Sequence, residues 1–98
     1  MAEITIYGTE FCSFCTAARL LLKKKGVNYA DVLVSRDDEQ RKIMERLSGR
    51  RSVPQIFIDS RSVGGFEELY ALEISGELDS LLSAPTETGQ TKIDINQT

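Results

Sequence analysis

Ile4-Thr5-Ile6-Tyr7-Gly8-Thr9-Glu10-Phe11-Cys12-Ser13-Phe14-Cys15 runs from a β-branched and aromatic segment directly into a Cys-x-x-Cys pair. Ile4 to Tyr7 favour an extended chain, and Gly8-Thr9 stop it, so a strand is expected over residues 3–7. Beyond the junction, Phe14, Ala17, Ala18, Leu21 and Leu22 recur at helical spacing. Lys23, Lys24 and Lys25 then precede Gly26, cations and a glycine that mark a helix end and read as a solvated, dipole-matched terminus. The cysteines therefore sit where a strand hands over to a helix. Unpaired N–H groups and the positive end of the helix dipole favour a thiolate there. Cys12 is thus the expected attacking nucleophile, and Cys15, on the same helix face, the expected resolving partner.

Other uses of the pair fare unevenly. A structural disulfide across so short a loop would constrain the unfolded chain little. A zinc site needs about four ligands, whereas the chain holds two cysteines and no histidine. Cys15 alone also fits an inert, buried core thiol.

The rest of the composition sets bounds. The 98 residues, 41% of them hydrophobic, suit one domain with a single core. Twelve basic against fifteen acidic residues give a charge of −3, which argues against charge-driven nucleic-acid binding. No basic segment leads a long apolar stretch and no window reaches membrane-span length, so a cytoplasmic protein without a membrane partner is expected. In a reducing compartment a Cys-x-x-Cys pair is more often catalytic than structural.

Along the chain, residues 29–34 read as a second strand, with Ser35 as the cap of a helix over 36–48 and Gly49 as its end. Ile43, Met44 and Leu47 are expected to face the core, and Arg41, Lys42, Glu45 and Arg46 to face solvent. Val53-Pro54 opens an apolar strand through Asp59, a tight connection at Asp59-Ser60 leads to Arg61-Ser62-Val63, and Gly64-Gly65 breaks the pattern. Phe66, Leu69, Tyr70 and Ile74 then recur at helical spacing, and Leu78, Leu81 and Leu82 indicate a short last helix. The order predicts an α/β domain over 1–84, a four-stranded mixed sheet with helices on both faces, followed by a flexible polar tail over 85–98.

Cys-x-x-Cys at a strand-to-helix junction, Ser52-Val53-Pro54 before an apolar strand, and Gly64-Gly65 before a helix together resemble the glutaredoxins, of the short bacterial dithiol type within the thioredoxin-like fold. The likeness spans about residues 3–83. It implies a cis Val53-Pro54 bond opposite the dithiol, with the Val53 backbone offered to an extended substrate. It also implies a glutathione site in which Arg41 reaches the glycine carboxylate. Gly65, Phe66 and Glu67 would meet the γ-glutamyl end, and Phe14 would flank the tripeptide. The activity implied is glutathione-dependent reduction of protein disulfides and glutathione mixed disulfides, by a chain that is monomeric.

Two positions depart from the family pattern. Ser13 stands where proline is usual, and Thr9 where lysine is usual, which removes a cation expected to stabilise the thiolate. Arg50 and Arg51 are candidate replacements. Serine between the cysteines also keeps open a [2Fe-2S] alternative, in which Cys12 of each of two protomers and two glutathione thiols bridge a dimer that acts as a carrier or sensor. A thioredoxin reading is disfavoured by the absence of tryptophan and by the Gly65-Phe66-Glu67 turn.

Overall fold

The computed structural model describes residues 2–83, so the tail expected over 85–98 lies outside the described residues. The elements run β1 (Ile4–Gly8), α1 (Ser13–Lys24), β2 (Ala30–Leu33), α2 (Asp38–Ser48), β3 (Gln55–Ile58), β4 (Arg61–Gly64), α3 (Phe66–Ser75) and α4 (Glu77–Ser83). The sheet order is β2-β1-β3-β4. β1 runs parallel to β2 and antiparallel to β3, with Ile6 opposite Ile56 and Tyr7 opposite Gln55, and β3 and β4 form a hairpin. Residues Asp59 and Ser60 close that hairpin with φ of 53° and 67°. Two successive left-handed residues give the turn twist that matches the flanking strands.

Alternation along the strands sends side chains to opposite faces and so builds two apolar layers. Ile4, Ile6, Ile56 and Ile58 pack against Ala18 and Leu22 of α1, Leu69 of α3, and Leu78 and Leu82 of α4. On the other face Tyr7 and Phe57 meet Val34 and Met44 of α2, the two rings edge to face at 5.6 Å. Helices therefore cover both faces, as the element order predicts. Each wholly buried Leu or Ile contributes roughly 1.5–3 kcal/mol through desolvation.

Several local expectations change. Asp37, not Ser35, caps α2, its carboxylate accepting the Gln40 N–H at 3.1 Å. Ser35 instead donates its hydroxyl to Glu10. On α2 only Met44 is fully buried. The face that receives it is small, and Leu47 lies 55% exposed beside a groove over Thr5, Tyr7 and Phe57. On α3, Tyr70 and Ile74 are exposed while Leu69 is buried, so the inward stripe is narrower than the apolar spacing implied. Lys25 is no solvated terminus: its ammonium meets Glu73 at 2.8 Å and Asp79 at 2.6 Å, tying the end of α1 to α3 and α4.

Packing is tight at Gly8. A Cβ there would stand 2.9 Å from Cys15 Sγ and 3.1 Å from Arg19 Nη2. Contact that short forces something to move, and the sulfur sits on a packed helix rather than a free side-chain end. Gly8→Ala is therefore expected to push α1 off β1 and lower stability by about 1–3 kcal/mol in denaturant melts, as overpacking does. Wild-type stability in this variant would show that α1 has room to yield.

Candidate active site

Cys12 occupies the N-cap of α1, with extended backbone (φ −105°, ψ 120°), and its Sγ accepts the Cys15 N–H at 3.4 Å. Cys12 is partly exposed, whereas Cys15 is wholly buried against Gly8. Their thiols move in opposite directions. Burial pushes Cys12 up, but hydrogen bonding from the Cys15 N–H, the Cys15 thiol and the Phe14 N–H, with the Arg19 charge, carries it below the usual thiol value. Burial pushes Cys15 up, and the Cys12 sulfur adds to it, outweighing the Thr9 N–H and Arg19. The geometry thus leaves one accessible sulfur whose thiol value is lowered and one buried sulfur whose value is raised.

The Val53-Pro54 bond is cis, as the sequence resemblance implies. Buried Gln55 secures the preceding turn, its Nε2 donating to the Ser52 carbonyl at 3.0 Å and to the Ser52 hydroxyl at 3.3 Å. Gly64, at φ 116°, lies in a region that favours glycine, and a Cβ on Gly65 would sit 3.4 Å from the Pro54 carbonyl oxygen. The turn before α3 therefore closes onto the proline loop. Glu68 holds it there, Oε1 accepting the Gly65 N–H at 2.8 Å and Oε2 meeting Arg50 at 3.3 Å. Those donors keep the Glu68 carboxyl below its ordinary value: the Gly65 N–H first, then its own N–H, with Arg50 adding to them against burial.

Six of the residues read from the sequence, Phe14, Val53, Pro54, Gly65, Phe66 and Glu67, line one groove, completed by Arg50, Ser52 and Glu68. Phe14 faces Phe66 at 6.3 Å between ring centres, and Phe66 stacks on Tyr70 at 5.7 Å. The groove measures about 190 Å³. That is shallow beside the ~300–1,000 Å³ of sites that engulf a ligand, and it suits an extended chain lying along it.

Arg41 does not line the groove; its guanidinium donates to the Arg51 carbonyl at 3.3 Å and braces the loop from outside. Arg50 and Arg51 do not replace a cation at the sulfurs either, since Arg50 pairs with Glu68 and the exposed Arg51 lies 3.9 Å from Glu45. The charge beside the cysteines is Arg19, which the sequence reading missed. Its signal was the spacing: Cys12, Cys15 and Arg19, three and four residues apart, share one helix face. Glu68 and Ser52 were likewise missed, hidden as a first-turn acid and a loop hydroxyl.

Among the described residues no three His, Cys, Asp or Glu side chains converge as a metal site. With Cys15 buried, the chain presents one open sulfur, so a cluster would need ligands from a second copy and from glutathione. Among the described residues no helix is long and apolar enough to cross a membrane.

Comparison with known proteins agrees with this arrangement. A family profile described as Glutaredoxin matches residues 4–63. The chain is 44% identical over 82 residues to Glutaredoxin 3 of Escherichia coli K12, covering 84% of this chain and 99% of that protein. The solution structure of glutaredoxin from Brucella melitensis superposes with a TM-score of 0.74 at 45% identity, over 84% of this chain and 89% of that one. A buckwheat glutaredoxin–glutathione complex shares the fold at TM-score 0.78 and 20% identity, over 84% and 77% of the two chains. With its thioredoxin-like sheet, cis proline and strand-to-helix dithiol, this chain belongs to the glutaredoxin family of thiol–disulfide oxidoreductases.

Proposed function

We propose that the chain uses glutathione to reduce protein disulfides and protein–glutathione mixed disulfides, with Cys12 as nucleophile and Cys15 as resolving thiol. The observation that carries this reading is the asymmetry of the two sulfurs: Cys12 is partly exposed at a helix N-terminus with a lowered thiol value, and Cys15 is buried with a raised one. On a mixed disulfide the Cys12 thiolate attacks the glutathionyl sulfur, the protein thiolate leaves, and a Cys12–glutathione disulfide forms. A second glutathione thiolate attacks that bond, releasing glutathione disulfide and the Cys12 thiolate. On a protein disulfide Cys12 forms a mixed disulfide with the target, and Cys15, having lost its proton, attacks the Cys12 sulfur. The target leaves as a dithiol, and two glutathione molecules then reduce the Cys12–Cys15 disulfide.

The tripeptide is assigned to the groove beside the dithiol. Its backbone pairs with Val53, and its γ-glutamyl carboxylate takes the Phe66 and Glu67 N–H groups at the start of α3. The Gly65 N–H is already engaged by Glu68, so Gly65 serves as the anchored end of the turn beside Pro54. Glu67 faces the ammonium, Phe14 and Phe66 flank the chain, and Arg41 attracts the glycine carboxylate from beside the loop. The same fold holds glutathione in the buckwheat protein. Targets bearing glutathionylated cysteines in the cytoplasm, met by a monomer, complete the reading.

Cys12→Ser is expected to cut both activities by at least about a thousandfold, the scale for removing a nucleophile. Cys15→Ser should retain most deglutathionylation while losing reduction of protein disulfides. Equal loss of deglutathionylation in both variants would refute the single-thiol route.

The alkylation rate gives the pH dependence. Because the Cys12 thiol lies below its ordinary value, its thiolate persists to lower pH than that of a free thiol and is lost as pH falls through the lowered value. Iodoacetamide modification of reduced wild type, followed by mass at Cys12, should therefore show a midpoint below the ~8.5 of an unperturbed cysteine. A midpoint at or above that value would remove the basis for Cys12 as the attacking group.

A further inference from the structure

We propose that Arg19, threaded across the bare Cα of Gly8 and held by the Thr9 carbonyl and Asp31, is a positioning residue that supplies the positive charge tuning the dithiol. Arg19 lies one turn beyond Cys15 on α1, and its side chain is only 16% exposed. Its Nη1 donates to the Thr9 carbonyl at 3.2 Å and its Nη2 to Asp31 Oδ1 at 3.3 Å. The Nε stands 3.0 Å from Asp31 Oδ2, an ion pair off the hydrogen-bond direction. Both Arg19 Nη2 and Cys15 Sγ approach the place a Gly8 Cβ would fill, to 3.1 and 2.9 Å. Only glycine admits the guanidinium and the sulfur together over that strand position.

Arg19 acts in two ways from there. Its charge favours the thiolate at both Cys12 and Cys15. Its grip on the Thr9 carbonyl also steadies the residue whose own N–H faces the Cys15 sulfur. Other charges face it: Asp31 from β2, and Glu10 from the loop, itself engaged by the Ser35 hydroxyl and Arg36. Asp31 both anchors Arg19 and offsets part of its field. In a half-buried setting such a balance is screened less by salt than a surface pair.

The proposal rests on the dithiol reading of Cys12 and Cys15, and the test separates the two without turnover. Reduced wild type, Arg19→Leu, Arg19→Lys and Asp31→Asn are titrated by thiolate absorbance and equilibrated with glutathione and glutathione disulfide. In that exchange the enzyme dithiol gives up two electrons and two protons as glutathione disulfide becomes two thiols. Losing the cation destabilises the thiolate of the reduced form. Arg19→Leu should therefore raise the thiolate midpoint and move the equilibrium toward the enzyme disulfide by about three- to tenfold, up to the factor of one pKa unit. Arg19→Lys should restore at least half of the shift, and Asp31→Asn, which removes the offsetting charge, should move it the opposite way.

An unchanged midpoint in Arg19→Leu, a shift that lysine leaves unrestored, or an Asp31→Asn shift that is absent or of the same sign overturns the proposal, because the pair would then be merely structural. Should Arg19→Leu fail to fold, Asp31→Asn and Arg19→Lys decide it: an opposite shift in the first with a near-wild-type second supports it, and any other pairing overturns it. An ordinary thiol midpoint for Cys12 in wild type would instead sink the dithiol reading itself.

Discussion

The approach of α1 to β1 at Gly8 is the constraint on which the rest of the site depends. A side chain there would meet Cys15 Sγ at 2.9 Å, so the helix lies directly against the strand that delivers it. With α1 seated this close, Cys15 is buried and Cys12 stands at the N-cap with its sulfur over the first turn. The same seating sends Ala18 and Leu22 into the layer formed by Ile6 and Ile56. Core packing and thiol chemistry are thus fixed by one contact. Stability and reactivity are coupled there by geometry.

That coupling explains why two chemically identical side chains three residues apart differ. Desolvation raises both thiols, since burial disfavours charge. Only Cys12 receives enough donors to reverse it: the Cys15 N–H, the Phe14 N–H and the Cys15 thiol all point at its sulfur. Cys15 has the Thr9 N–H alone and faces the negative Cys12 sulfur. Donors at the helix N-terminus therefore lower the one thiol, and burial raises the other.

The strands, the helices and the dithiol were legible in the sequence because each carries a local signal: β-branched runs, helical spacing, glycine stops and a Cys-x-x-Cys pair at a junction. Pairwise choices between elements carry none. Ser35 and Asp37 both fit an N-cap by residue type, and the rival partner Glu10, brought alongside by β1 and β2, decides between them. Lys25 reads as a solvent cation until α3 and α4 place Glu73 and Asp79 against it. Leu47 satisfies the spacing of a core residue, yet Met44 alone fills the face that α2 covers. Arg19 escaped for the same reason: its role comes from Gly8 and Asp31, far from it in sequence.

The groove follows from the same logic. Pro54 and Gly65 lie side by side, and the approach lasts because Glu68 captures the Gly65 N–H and Arg50 neutralises what remains of the carboxylate. Arg50 and Glu68 are each nearly half exposed, so their pair contributes little by itself, on the order of 0–1 kcal/mol. The Gly65 bond does the anchoring, and the Arg50 pair only adds to it. On the proposed reading the chain thereby keeps a strict geometry at the sulfurs, against Gly8, and a half-exposed rim where glutathione would lie.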